Sequence, residues 1–418
     1  MGSLDTWLTF WDRPTGDVET TRRLRDRQTR KLVRHAWERV PYYRRLFEEA
    51  GVHPEQIQGV DDLSRIPVST KRQRQRTPLD EKLARGVNLE RCIRHTTSGS
   101  TGQPDLIVRT WWEEQFLLAH RLRTAVQLGI EPHYRNVAVG MGDTRRILPH
   151  RLGFFSTTPL DPALHPTQCV QELVRRRPEV IRGRPNVLER VVAQDEGQQL
   201  RRLGVRMVFS GSELLAAPTR RRIEEGFQAP VIDVYGAHEF NMIAWSCPQC
   251  RCYHTSDDSV FVEILKDGHP AAPGEAGEVV ATALHSFAMP FIRFETGDIA
   301  RHPAHVPPCR TSFGCLDALQ GRSVEFITLS NGRVISPITI RHSLSQVSGM
   351  ARFEVVQTAR DRVRVTVEVL PQESSHPCRE VLARCRQIFP PDVAVEVGSV
   401  PELEPGPGEK YRFIRVLE

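Results

Sequence analysis

His95-Thr96-Thr97-Ser98-Gly99-Ser100-Thr101-Gly102-Gln103-Pro104 is the stretch on which the reading of this chain turns. It follows Arg91-Cys92-Ile93-Arg94, which reads as a short strand. Glycines let successive backbone N–H groups converge on one point, and Ser/Thr hydroxyls add donors there, so such a loop can wrap a polyphosphate. Taken alone, such a Ser/Thr/Gly run is usually just a polar turn. It is not a Walker loop, because GxxxxGK[ST] occurs nowhere in the chain.

Further segments follow it in order: Phe209-Ser210-Gly211-Ser212-Glu213, Val234-Tyr235-Gly236-Ala237-His238-Glu239, Ile292-Arg293-Phe294-Glu295-Thr296-Gly297-Asp298, Gly321-Arg322 and Gly408-Glu409-Lys410. That series resembles the adenylate-forming superfamily of acyl-CoA synthetases, peptide-synthetase adenylation domains and luciferases. Within it, the chain is most similar to the phenylacetate–CoA ligase-like branch. Val40-Pro41-Tyr42-Tyr43-Arg44-Arg45-Leu46-Phe47, Ala50-Gly51-Val52, Leu63-Ser64-Arg65-Ile66-Pro67-Val68 and Met289-Pro290-Phe291-Ile292-Arg293-Phe294 carry that likeness, together with the compact length. It covers nearly the whole chain.

Bulk properties bound the answer. At 418 residues the chain is long enough for two or three domains, and 39% hydrophobic with 26% charged residues is an ordinary globular composition. No apolar run approaches ~20 residues, so no membrane span is expected. Met1-Gly2-Ser3-Leu4-Asp5 lacks the basic lead and apolar core of a signal peptide, which points to the cytoplasm. The net charge of +6 is spread along the chain. Clusters such as Arg22-Arg23 and Arg220-Arg221-Arg222 read as solvated helix faces. Without aromatic or groove-reading elements beside them, nucleic-acid binding is not expected. The positive balance suits long-range steering of a nucleotide, coenzyme A or an acidic carrier protein.

Patterning along the chain predicts an α/β fold. Amphipathic helices are expected from Asp17 to Gly51 and from Glu114 to Leu128. Strands at 136–139, 180–181, 205–209 and 231–234 alternate with helices at 169–177, 187–192 and 219–227, the order of a doubly wound, mostly parallel sheet. Ligands of such sheets sit at the carboxyl ends of strands, where Ser210-Gly211-Ser212 and Tyr235-to-Glu239 fall. From Ser259 the texture becomes β, with strands at 260–265 and 277–282 around Asp267-Gly268. Strands at 324–329, 353–358, 362–369 and 393–397 with a helix at 379–387 form a small α+β piece after Gly321. The expected domains are therefore 1–320, with the nucleotide and acid sites and the β-rich subdomain, and 321–418, a mobile lid.

The resemblance implies ATP-dependent activation of a carboxylic acid through an acyl-adenylate, with release of pyrophosphate. It places Thr97, Ser98, Gly99, Ser100, Thr101 and Gly102 on the phosphates, Ser212 and Glu213 near the nucleotide, and Tyr235 with Gly236 and Ala237 on the adenine. Asp298 falls on the ribose, Arg322 on the ribose or a phosphate, Glu239 on Mg²⁺, and Lys410 on the attacking carboxylate and the α-phosphate. Three positions depart from the family pattern: Gln103 stands where lysine is usual, His238 where threonine is usual, and Ser323-Val324-Glu325 where acidic residues follow Gly-Arg. His238 is retained as a catalytic candidate. Ser210, Gly211, Ser212, Gly236, Ala237 and the Trp111-Trp112 region are the acid-pocket candidates. The acceptor expected is coenzyme A and the acid an aromatic or compact one. Transfer to a carrier-protein phosphopantetheine, an amine or another nucleophile is the rival. A non-catalytic, zinc-stabilised binding protein is the rival from another class. A homodimer is admitted but not required.

A second cluster is Cys247-Pro248-Gln249-Cys250-Arg251-Cys252-Tyr253-His254, followed by Cys309 and Cys315. A CxxC turn places two thiolates on one metal, and a distant second pair completes a tetrahedron. Five of the nine cysteines fall in these two loops, which packing alone does not call for. Structural zinc is expected on Cys247, Cys309 and Cys315, with Cys250 or His254 as the fourth ligand and Cys252 as a bystander.

Overall fold

The computed structural model describes residues 10–11, 16–96, 105–140, 153–305, 308–309, 311–322, 326–335, 337–344, 347–369, 377–403 and 413–416. The chain divides into two compact units and passes between them more than once. The first comprises Met1–Pro132, Ile147–Phe154 and Ile232–Leu319; the second comprises His133–Arg146, Phe155–Val231 and Gln320–Glu418.

The first unit begins with helices α1 (Val18–Arg39) and α2 (Pro41–Glu49). Asp17 caps α1 by accepting from the Thr20 amide at 2.9 Å, and Pro41 sits at the start of α2, where no amide partner is needed. Leu32, Val33 and Ala36 of α1 and Tyr43 and Phe47 of α2 are buried in one cluster with Ile292. The short helix α3 (Lys71–Arg76) starts on a Thr70/Gln73 capping box. Strands β1 (Cys92–Thr96) and β2 (Leu106–Thr110) pair antiparallel and lead into helix α4 (Trp111–Gln127). The Thr110/Glu113 capping box starts α4 three residues earlier than apolar spacing alone suggested.

In the second unit, strand β3 (Asn136–Val139) is followed by β4 (Thr157–Pro159), α5 (Pro166–Arg176), β5 (Val180–Gly183), α6 (Pro185–Ala193), β6 (Met207–Gly211) and α7 (Ala217–Phe227). The strands pair in parallel in the order β4-β3-β5-β6, with Asn136 opposite Val180 and Val180 opposite Met207. Val137, Val139, Ile181 and Val208 bury against Leu173, Leu188, Val191, Ile223 and Phe227 of the three helices. Helices α6 and α7 approach closely at Gly226, where an added Cβ would lie 2.3 Å from Val192. The alternation expected from the sequence is present, with strand β4 added.

Strand β7 (Val231–Tyr235) returns the chain to the first unit. With β8 (Ala244–Ser246) and β9 (Tyr253–Thr255) it forms an antiparallel ladder. Strands β10 (Val260–Lys266), β11 (His269–Pro270), β12 (Ala276–Ala283) and β13 (Phe294–Arg301) make an antiparallel meander. Strand β14 (Cys315–Leu316) pairs with β9. Arg293, in the left-handed region at φ 45°, ties this meander to the N-terminal segment. Its guanidinium takes Glu263 through both Nε and a terminal nitrogen, at 3.1 and 3.0 Å, and donates to the carbonyls of Ser64 and Ile66.

Strand β15 (Ala318–Arg322) straddles the boundary between the units, and the last stretch of the second unit then holds the hairpin β16 (Ile327–Thr328) and β17 (Val334–Ile335), α8 (Pro337–Leu344), β18 (Met350–Ala359), β19 (Arg362–Val369), α9 (Cys378–Ile388), β20 (Ala394–Val400) and β21 (Ile414–Val416). Its sheet runs β20-β19-β18-β21, with the outer two strands parallel to their neighbours. Phe353, Val355, Val363, Val365 and Val367 bury against Val381, Cys385 and Ile388. Among the described residues no helix is long and apolar enough to cross a membrane.

Candidate active site

The segment after β7 is shaped by its backbone. A Cβ at Gly236 would lie 1.9 Å from the Asn241 carbonyl oxygen, so only glycine fits. The chain turns over Ala237, whose carbonyl accepts from the amides of Phe240 and Asn241 at 3.1 and 2.7 Å, and rejoins the ladder where Ile243 donates to Tyr235. Ala237 is half-buried, His238 is exposed and Glu239 points inward.

Two residues singled out for the nucleotide meet directly. The Tyr235 hydroxyl donates to an Asp298 carboxylate oxygen at 2.8 Å. Asp298 lies on β13, one residue beyond Gly297 at φ 79°, and its own amide donates to Thr296 at 3.2 Å. Thr296 in turn donates to the Val279 carbonyl, which fixes the turn to the neighbouring strand.

Glu239 is 8% exposed. Burial raises its pKa; its own backbone amide and the charges of Lys71 and Arg74 on α3 oppose the rise, and Asp105 adds to it. A sequestered carboxylate with cations nearby fits a divalent ion carried by a phosphate ligand. Arg74 is itself fully buried, with its guanidinium 4.2 Å over the Phe291 ring and a bond to the Pro290 carbonyl at 3.2 Å.

The phosphate-loop candidates Thr97, Ser98, Gly99, Ser100, Thr101 and Gly102 lie outside the described residues, as do Gln103, Val324 and Lys410. Their anchors are described. Lys82 forms a buried 3.0 Å pair with Asp105, where the chain leaves that segment for β2. Ser212 follows β6 in the second unit at φ 69° and is exposed, while Glu213 beside it is half-buried. The buried Ser210 hydroxyl has no hydrogen-bond partner among the described residues. Arg322 closes β15. Trp111 and Trp112 are exposed and meet edge to face at 4.7 Å.

The cysteine cluster differs from expectation in one ligand. The side-chain donor atoms of Cys247, Cys250, His254 and Cys309 all lie within 4.8 Å of one another. Cys247 and Cys309 sulfurs are 3.4 Å apart, and the Cys250 sulfur is 4.0 Å from His254 Nε2. Cys250 and His254 thus both belong to the set. Cys315 stands outside it, committed to β14 opposite His254 and accepting at its carbonyl from His302. The CxxC turn closes because Arg251 adopts φ 65°, its amide donating to Cys247 while the Cys247 amide donates to Cys252. Burial pushes His254 below the usual histidine range, which keeps the imidazole neutral, the form that ligates metals. Three thiols and one imidazole at these separations match a closed tetrahedral zinc shell.

A buried polar network joins β1, β2 and α4. The Glu114 carboxylate receives His95 Nε2 and Arg109 at 3.0 Å each. Arg109 also donates to the His238 carbonyl. Burial alone would raise the Glu114 pKa, but the bonds and charges of His95 and Arg109 carry it down to about 2. Glu113 is buried beside it and accepts from the Phe287 and Ala288 amides at 2.5 and 2.8 Å.

The chain thus combines a parallel strand–helix unit, a β-rich subdomain, a Tyr235–Asp298 hydrogen bond and a buried Glu239. No protein-family model matches the chain. It is 30% identical over 344 residues to the phenylacetate–coenzyme A ligase of Escherichia coli (strain K12), covering 75% of this chain and 74% of that one. A phenylacetate–coenzyme A ligase of Thermus thermophilus is 26% identical, with 74% and 72% covered. The chain belongs to the phenylacetate–CoA ligase family. Its fold matches the crystal structure of 2-hydroxyisobutyryl-CoA ligase in the postadenylation state, with a TM-score of 0.81, 21% identity and 97% and 91% of the two chains covered. The anthranilate CoA ligase in complex with anthranoyl-AMP matches with a TM-score of 0.59, 18% identity and 78% and 66% covered.

Proposed function

We propose that this chain activates a small carboxylic acid with ATP and transfers the acyl group to coenzyme A. The Tyr235–Asp298 hydrogen bond carries the reading, because it joins an aromatic platform to a carboxylate suited to a ribose diol, one turn from the sequestered Glu239. An oxygen of the acid attacks the α-phosphorus, and the bond to pyrophosphate breaks. The coenzyme A sulfur then attacks the acyl carbonyl carbon, and AMP leaves as the thiol proton passes to solvent. Two anions must approach in the first step, so fixed donors and cations are required. The 97–102 loop supplies donors to the phosphates, Lys410 places a point charge on the attacking carboxylate and α-phosphate, and Glu239 would hold the magnesium that neutralises phosphate charge. Arg322 makes a second ribose or phosphate contact, and residues 321–418 act as the lid that brings Lys410 in.

An aromatic or compact acid is the proposed substrate class, in keeping with the phenylacetate named for the relatives and the anthranoyl group named for a structural neighbour. Cys247, Cys250, His254 and Cys309 would hold a structural zinc, whose binding free energy contributes to folding. With reduced thiols at that site, the cytoplasm is the compartment proposed.

Acid-dependent ATP–pyrophosphate exchange across a panel of aromatic and short carboxylic acids tests the first step. Added coenzyme A should then yield the thioester, and Lys410→Ala should slow exchange by ~10²–10³. Exchange that no acid stimulates would sink the reading.

A further inference from the structure

The antiparallel register of β1 and β2 sets His95 opposite Ile107, so His95 and Arg109, two residues on from Ile107, project from the same face of the hairpin. Both reach the same carboxylate oxygen of Glu114 on α4, at 3.0 Å each. The three side chains are nearly inaccessible, at 2%, 5% and 2% for His95, Arg109 and Glu114. One terminal nitrogen of Arg109 is committed to Glu114, and the other donates to the carbonyl of His238. That carbonyl belongs to the peptide whose N–H is that of Glu239. The guanidinium fork therefore links a helix carboxylate, held in turn by the strand ahead of the 97–104 segment, to the backbone from which Glu239 projects.

We propose that Arg109 is a positioning residue for Glu239, fixing the His238–Glu239 peptide so that the Glu239 carboxylate meets the magnesium of a bound nucleotide, with Glu114 and His95 holding Arg109 in place. The proposal rests on the nucleotide-site reading given above. Planar two-pronged donation is what arginine offers here; a lysine at 109 keeps a charge for Glu114 but lacks the two separated nitrogens that span Glu114 and the His238 carbonyl. Residues that orient a metal-binding group without touching the metal typically affect metal affinity or activity ~10–100-fold when replaced.

The test uses the full chain with Arg109→Lys and Glu114→Gln. Half-saturating magnesium for acid-dependent exchange is measured alongside manganese–ATP binding read by electron paramagnetic resonance, with melting temperature as the fold control. Arg109→Lys should melt close to the wild type, yet need about tenfold more magnesium and bind manganese–ATP about tenfold more weakly. Glu114→Gln should shift both readings in the same direction by a smaller factor, because a neutral amide still accepts from Arg109. It serves as the deciding variant where the lysine variant does not fold. Folded variants with wild-type magnesium dependence and manganese binding would overturn the assignment. Absence of exchange in the wild type would count against the acid-activation reading alone. The manganese–ATP comparison would still decide the Arg109 role, weaker binding supporting it and equal binding removing it.

Discussion

Gly236→Ala is the most direct perturbation of the turn that carries Glu239. The added methyl carbon would lie 1.9 Å from the Asn241 carbonyl oxygen, 3.1 Å from its carbon and 3.3 Å from the Met242 Cα. All three are backbone atoms, so no side chain can rotate away. Reaching an ordinary contact distance requires one wall of the turn to move by more than about 1 Å, against the bond from Ile243 to Tyr235 and the pairing of Tyr235 with Ala244. Overpacking of a rigid site costs about 1–3 kcal/mol, and this geometry lies at the upper end. The corresponding fall in melting temperature is roughly 6–12 °C for the transition that includes the first unit. Because displacement by about 1 Å can cost ~10² in rate, acid-dependent exchange should fall about a hundredfold at temperatures where the variant is folded. Gly398→Ala is the control: it lies on β20 with nothing within 4 Å of its added Cβ, and should melt like the wild type or slightly higher. A Gly236→Ala protein that melts and exchanges like the wild type would show that the turn has room, and that reading of the site would be abandoned.

Other outcomes follow from the same geometry. Cys309→Ser should lower zinc content and melting temperature together, while Cys92→Ser, outside the set, should leave zinc unchanged; elemental analysis and calorimetry read both. Asp298→Ala should raise the apparent KM for ATP more than that for the acid, and Tyr235→Phe should do so to a lesser degree, as measured by exchange kinetics at varied ATP. The Glu114 pKa is held at about 2 against an ordinary 4.5. A depressed carboxylate stabilises the fold above its unfolded pKa and loses that contribution as pH falls toward its folded one. Roughly 3 kcal/mol should therefore fade between about pH 4.5 and 2. Denaturant titrations should show the stability gap between wild type and Glu114→Gln narrowing across that window; a constant gap would refute the ionised Glu114.

The strand–helix alternation was legible because β-branched runs such as Val137-Ala138-Val139 alternate with amphipathic segments, and burial enforces both periods. Strands β4, β8, β9 and β14 were not, since two or three residues carry no period. Tyr235, Glu239 and Asp298 were legible as motifs, and the structure joins the first and last by one hydrogen bond. Arg109 and Glu114 escaped because consecutive glutamates at a helix start usually face solvent and complement the helix dipole. The contact that gives Arg109 its reach is to a backbone carbonyl, which no side-chain pattern announces. Thr110-x-x-Glu113 was the available clue, since a capping box there moves the helix start and turns Glu114 inward. The metal set was legible as a group of cysteines. That Cys250 and His254 both join it while Cys315 falls outside was not, because it depends on a two-residue strand pairing.

The Arg293 clamp also sets an order of events on the ribosome. Its partners at Ser64 and Ile66 precede it by 229 and 227 residues, and the Tyr43 hydroxyl waits 249 residues for the Ile292 amide. At ~5–20 residues per second, the first helices spend roughly 10–50 s in synthesis before their closing contacts exist. During that interval Leu32, Val33, Tyr43, Phe47 and Leu63 lack part of the cluster they finally bury in. The run from 133 to 231, whose strands and helices pair with near neighbours, can meanwhile collapse on its own. Nascent-chain proteolysis should find the middle of the protein sheltered before its beginning, and chaperone demand should fall on the N-terminal helices.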